Sequence, residues 1–215
     1  MGVVAQCFSL FHKGGPVMYI LALCSVAVLA IWVERYLYYK ERTVGAETFI
    51  PKLQILVEQQ NISEAVLLCQ NTKASLGQIA LKGLQAFQQG KNVETVLEGS
   101  SMLMAARLRE YLNYLSAIVT LSPLLGLLGT VIGMINSFSV LNVKTGQPLA
   151  ITGGVGEALV ATATGLCVAI LAMVIHTYYC HRLDGVVTNM EELSNMLLSD
   201  LPIKTLARGK THETA

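Results

Sequence analysis

The sequence predicts an all-α integral membrane protein with three transmembrane helices and a helical cytoplasmic domain. Two long helices are expected to extend from the membrane into the cytoplasm. Three observations carry this fold class. The chain has 215 residues, 53% of them hydrophobic and only 13% charged, where soluble domains carry about 25% charged residues. Three stretches long enough to cross a bilayer lack charge or nearly so. No stretch of useful length alternates apolar and polar residues as a half-buried strand does. The mean hydropathy of +0.54 agrees. A formal net charge of +1 gives no basic surplus of the kind that nucleic-acid binding needs. The expected surroundings are therefore the lipid bilayer, with no nucleic acid.

Residues 1–13 are read as an external N-terminal segment. Residues 14–33, twenty in a row without charge, form the first transmembrane helix, since a hydrocarbon core of about 30 Å needs about 20 helical residues. A cleaved signal peptide is the competing reading. The run exceeds the usual apolar core of about 7–15 residues, and LALC places the large Leu23 where cleavage wants a small residue. The segment also closes on WVERYLYYKER, basic and aromatic like a membrane anchor.

Residues 34–110 read as a cytoplasmic helical domain. Asn61 followed by Glu64 resembles a capping box ahead of AVLLC. Asn92 can cap a helix that starts VETVLEG, after which only Gly99 interrupts the helical signal as far as Ser122. That helix is expected to run unbroken into the second span, residues 111–141, which falls within the uncharged run 111–143. An external loop, 142–152, leads to the third span, 153–180. Residues 181–215 extend it as a cytoplasmic helix, ended by Pro202, and a disordered tail.

Orientation follows from the basic residues. Lys13 precedes the first span and Lys144 lies between the second and third; the other thirteen Lys and Arg lie after span 1 and before span 2, or after span 3. The N-terminus and the short loop are thus expected outside, with the large domain and C-terminus in the cytoplasm.

No enzyme signature is present. RGKT near the C-terminus lacks the leading glycine of a phosphate loop, because position 204 is Lys, and neither HExxH nor GxSxG occurs. His176 and His181 are five apart, a poor helical chelate, so no metal and no cofactor is expected. The five cysteines form no CxxC pair. They read as small hydrophobes in a reducing compartment.

Spans 2 and 3 each carry a stripe of small residues. In LSPLLGLLGTVIGMINSFS, Pro123, Gly126, Thr130, Gly133 and Ser137 fall within about 60° of Thr130 at roughly 100° per residue. Gly129 and Gly133 form GxxxG, which lets helices approach closely. In GGVGEALVATATGL and the residues after it, Gly154, Ala158, Ala161, Gly165, Ala169 and Ala172 share a stripe, with Glu157 on one edge and Thr162 on the other. Lipid rewards large apolar groups, so a Gly/Ala stripe faces protein or a narrow path. Packing alone and packing combined with pore lining both satisfy the pattern of span 2.

Glu157 is the one acidic residue of span 3. A carboxylate at membrane depth costs a few kcal/mol, and such groups face a bundle interior or a wet cavity and mark ion pathways. A hydrated position at the outer interface is an alternative. A structural ion pair is another, although no Lys or Arg lies at comparable depth.

SPLLGLLGTVIGM, a short loop and GGVGEALVATATGLCVAI together resemble the MotA/TolQ/ExbB proton-channel family, most closely its ExbB and TolQ branch. The resemblance covers nearly the whole chain, from span 1 through the helical domain to spans 2 and 3. It implies a homopentameric inner-membrane ring, with spans 2 and 3 lining a pore and span 1 outside. It also implies a single-span partner of the ExbD or TolR type with a membrane Asp, and possible work on a TonB-like or TolA-like protein. On this resemblance Thr130, Glu157 and Thr162 match the family's pore residues, and proton flow would power TonB-dependent import or Tol-type envelope work. One departure is Leu171, where that branch often has Pro after the Ala-Ile of span 3. The flagellar branch, with four spans and a larger insert, fits less well. The competing function is a non-conducting scaffold whose small residues (Gly126, Gly129, Gly133, Gly154, Ala158, Ala161 and Gly165) serve helix assembly only.

The orientation is testable. A cysteine reporter at Gln147 should label from outside sealed cells and one at Gln88 should not; labelling at Gln88 overturns the assignment.

Overall fold

The computed structural model describes residues 15–42, 46–72, 74–143 and 148–201. Residues 1–14, Lys144, Gln147, Pro202 and the tail with RGKT lie outside these, so the expectations placed on them are not addressed. The described residues form six helices and no strand: α1 Val17–Arg42, α2 Ala46–Glu58, α3 Ile62–Asn71, α4 Ser75–Gln88, α5 Val93–Val143 and α6 Pro148–Asp200. Three of them, α1, α5 and α6, are long and apolar enough to cross a membrane. The all-α class with three spans and long helices therefore holds. α5 runs without a break from its Asn92 cap through Pro123. α6 begins at Pro148, a residue whose fixed φ and missing N–H suit a first helical turn.

The chain forms two compact units, and α5 and α6 contribute to both. The first unit contains α1 up to Arg35, α5 from Glu110 and α6 up to Cys180. Its centre is the seam between α5 and α6. A Cβ on Gly129 would lie 2.6 Å from the Ala161 Cβ, and one on Gly133 would lie 2.9 Å from the Ala158 Cβ. A Cβ on Gly165 would lie 2.6 Å from the Ser122 carbonyl oxygen and 3.0 Å from the Gly126 Cα. The Gly154 position abuts the Ser137 hydroxyl. Backbone meets backbone here because both stripes have given up their side chains.

Pairing along the seam runs 122 with 165, 126 with 162, 129 with 161 and 133 with 158, so the two helices are antiparallel. α1 packs on the seam through Val17, Met18 and Leu21, which cluster with Ala161 and the half-buried Leu125, Ile132 and Val160. At the other end Tyr179 donates a hydrogen bond to the Trp32 carbonyl at 3.3 Å. There the Arg35 guanidinium lies 4.3 Å from the centre of the Tyr111 ring. α1 therefore runs parallel to α6 and antiparallel to α5. Arg35 is 1% exposed, and its neighbour Glu34 neutralises it through a 2.8 Å ion pair. Cation–π contact adds about 2 kcal/mol or more where water is excluded. The outward faces carry Leu23, Leu124, Leu127, Ile135, Leu159 and Ile170, all exposed, which is the surface lipid favours.

The second unit contains α2, α3, α4, α5 up to Arg109 and α6 from His181. It buries Leu53, Val57, Ala65, Leu84, Leu97, Leu193 and Leu197 completely. Its turns are set by local chemistry. α2 ends with Gln60 at φ +56°, where the Asn61 N–H bonds the Leu56 carbonyl and the Gln60 N–H bonds the Val57 carbonyl. This is the Schellman pattern with glutamine in the left-handed place. α4 ends the same way on Gly90 at φ +66°, with Lys91 bonding the Ala86 carbonyl. The expected caps are present, although the capping box at Asn61 is half made, since its N–H goes to the Leu56 carbonyl and not to the Glu64 side chain. The Asn61 side chain accepts from the Glu64 N–H at 3.4 Å and that of Asn92 from the Thr95 N–H at 3.2 Å. Gly83 lets α4 lie against α5, since a Cβ there would fall 2.6 Å from Leu97.

Two outcomes follow from this packing. Gly165→Ala should lower the unfolding free energy by about 1–3 kcal/mol, the usual penalty for overpacking, because its new methyl meets backbone that cannot yield. Gly156→Ala, which meets nothing within 4 Å, should not. Denaturation in mild detergent measures both, and equal stabilities refute the close seam. Cys69 is 2% exposed, and burial pushes its thiol up to about 12 from 9.0. It should resist maleimide at pH 8 in the folded protein. Its contribution to stability is fully present below pH 9.0 and declines as the pH rises toward 12, because the unfolded thiol ionises first. Rapid labelling of Cys69 without unfolding contradicts this.

Candidate proton-pathway site

Glu157 sits near the start of α6, beside Ala158, whose methyl meets the Gly133 position. Its side chain is exposed and makes no hydrogen bond or ion pair with another described residue. The helix gives it no alternative partner, because span 3 carries no Lys or Arg on the following five turns. A carboxylate with no partner among the described residues, on a helix surrounded by Val155, Leu159 and other lipid-type side chains, is an expensive arrangement in hydrocarbon.

Thr130 and Thr162 are both half-buried, and each hydroxyl proton is engaged. Thr130 donates to the Leu127 carbonyl of its own helix at 2.6 Å. Thr162 instead donates across the seam to the Gly126 carbonyl at 2.9 Å. What both offer to water is therefore the oxygen lone pairs. The Thr162 bond was not legible from the stripe alone, which placed Thr162 on an edge and Gly126 in a centre without relating them.

The seam sets the levels of the three residues. Glu157 adjoins the Ala158–Gly133 contact. Thr130 adjoins Gly129, which meets Ala161, and Thr162 is itself bonded at Gly126. From Gly133 to Gly126 is about 10 Å of helix rise. The structure thus brings the three predicted residues to one stretch of the α5–α6 pair. It also uses every predicted packing residue in the seam: Ala158 and Ala161 are 3% and 0% exposed, and Gly126, Gly129, Gly133, Gly154 and Gly165 each face the opposite helix.

Sequence reasoning missed two features nearby. Ser122 is fully buried and its hydroxyl has no hydrogen-bond partner among the described residues. The signal was its place just before Pro123, inside the helix. His176 and Cys180 approach to 3.5 Å at helical spacing, a contact that weighing His176 only against His181 did not bring out. Among the described residues no three His, Cys, Asp or Glu side chains gather as a metal site would require. The chemistry available is one carboxylate that can take or give a proton, and hydroxyl oxygens that can hold water.

Residues 71–192 match the profile of the MotA/TolQ/ExbB proton channel family, more than half of the chain, including α4, α5 and most of α6. An ExbB-like biopolymer transport protein of Synechocystis is 32% identical over 175 residues, which cover 77% of this chain and 67% of the relative. The biopolymer transport protein ExbB of Salmonella typhimurium is 27% identical over 201 residues, covering 85% and 79%. The Tol-Pal system protein TolQ of Pseudomonas aeruginosa is 35% identical over 103 residues, covering 44% and 45%. The matched span contains Thr130, Glu157, Thr162 and the whole seam, so the chain belongs to the MotA/TolQ/ExbB proton channel family, in its ExbB/TolQ branch.

Proposed function

We propose that this protein is the proton-conducting subunit of an energy-transducing complex in the bacterial inner membrane. It would assemble as a homo-oligomer, a pentamer by family resemblance. It would work with a single-span ExbD/TolR-like partner whose helix carries a membrane Asp, and through it with a TonB-like or TolA-like protein. The chain acts by moving protons and partners, not by covalent catalysis. The orientation proposed is N-terminus periplasmic and C-terminus cytoplasmic.

The observation that carries this reading is Glu157, an exposed carboxylate with no partner among the described residues. A charge at membrane depth that the described residues leave unpaired is met by water or another chain. An oligomeric pore with a central occupant provides both. Thr130 and Thr162 supply neutral oxygens nearby that hold water without trapping a cation. Each proton that crosses 100 mV releases about 2.3 kcal/mol, so work on a partner requires several crossings or a contribution from the pH gradient.

The scaffold reading also has an observation in its favour. The small residues are fully used in packing within one chain, so they need no pore to account for them. Glu157 separates the two readings, since packing does not use it.

Glu157→Gln keeps shape and hydrogen bonding, and Glu157→Ala removes both. Both variants should assemble normally. Proton flux in proteoliposomes with the partner present should fall more than tenfold in each, with loss of energy-dependent function. Rescue by Gln alone assigns a hydrogen-bonding role without charge. Flux at the wild-type level in Glu157→Ala rejects the functional reading and leaves the scaffold.

A further inference from the structure

We infer that the second unit carries a binding notch for a single phosphoryl group, in the cleft between α4 and α5. The cleft is lined by Gln78, Ile79 and Lys82 from α4 and by Ser100, Leu103, Met104 and Arg107 from α5. No carboxylate lines it. Lys82 is the only charged residue of α4, so no acid within its own helix neutralises it. Neither Lys82 nor Arg107 forms an ion pair with another described residue. Both are exposed, while Ile79 is 1% exposed and Met104 6% exposed beneath them. Two free cations thus stand over an apolar floor, with a hydroxyl and an amide beside them.

Size and charge select the ligand class. The cleft holds about 60 Å³, several times the roughly 10–15 Å³ that one water needs by the same measure. A drug-sized or nucleotide-sized ligand needs about 300 Å³ or more, so only one small group fits. A phosphoryl monoester carries about −1.5 to −2 charge near neutral pH and three acceptor oxygens. That matches one guanidinium, one ammonium and the donors of Ser100 and Gln78. Arg suits such a group because its planar fork presents paired N–H donors to two oxygens at once. A carboxylate would neutralise only half the charge and leave donors unused.

The phosphoryl group can be free or can belong to a lipid headgroup, and the test separates these sources. The full protein is placed in nanodiscs of phosphatidylcholine and titrated with inorganic phosphate at constant ionic strength, followed by phosphorus NMR line broadening. A second arm uses nanodiscs that contain phosphatidic acid. Saturable broadening by inorganic phosphate, with a dissociation constant raised at least tenfold by Lys82→Gln or Arg107→Gln, supports the notch. If phosphatidic acid abolishes that broadening in the wild type, the headgroup is the resident ligand. If it has no effect, the free anion is. Both side chains are exposed, so the variants should fold; circular dichroism and assembly state check this. Absence of saturable broadening in both arms, or broadening that survives the double variant, overturns the inference. The readout is binding, so it stands or falls separately from proton flux and Glu157.

Discussion

The contact on which the rest of the first unit depends is the backbone approach of α5 to α6. Helices already in lipid gain nothing from hiding apolar surface, since lipid is as apolar as leucine. Association must come from close dispersion contacts and from hydrogen bonds between helices. Gly126, Gly129 and Gly133 facing Ala158, Ala161 and Thr162 supply the first, and the Thr162 bond to the Gly126 carbonyl supplies the second. α1 then finds a surface to dock on, at Ala161. Glu157 owes its exposed position to the same contact, because the neighbouring Ala158 is the residue turned inward.

The two units answer to different solvents. Along the α5–α6 seam of the first, small residues meet inside while Leu124, Leu127 and Leu159 point outward, the reverse of a water-soluble protein. In the second, Leu53, Leu84, Leu97 and Leu193 are inside, and water supplies the driving force. Arg35 is the exception within the first unit. Burying a guanidinium costs several kcal/mol. It is tolerated because Glu34 and the Tyr111 face surround it. The arrangement sets the level at which α1 meets α5, a specificity that apolar contacts between smooth helices would not provide.

What the sequence made legible was local. Asn61 and Asn92 announce helix starts because a cap involves residues three apart. The unbroken α5 was legible because only Gly99 weakens the helical signal between Asn92 and the span. The stripes were visible because helical periodicity is arithmetic. What stayed hidden was relational. A stripe does not say which helix fills it, and here α6 fills that of α5. Thr162 could not be paired with Gly126, nor Arg35 with Tyr111, because 36 and 76 residues respectively separate the partners. Gln60 gave no warning of a left-handed turn, since glycine is the usual sign of one. Pro148 did carry a signal for the start of α6, because proline favours the first helical turn.

The seam also shapes how this sequence can drift over generations. Where a glycine meets backbone, as Gly165 meets Ser122 and Gly126, no single substitution on either side makes room. Where a glycine meets an alanine methyl, as at Gly129 with Ala161 and Gly133 with Ala158, the pair shares one methyl between two helices. An exchange that moves the methyl across keeps the helix spacing, but its first step passes through either two methyls or none. The two-methyl intermediate is crowded and the empty one leaves a small void. Descendants should therefore reach the swapped pair through the glycine–glycine form, and the lipid-facing leucines should vary freely meanwhile.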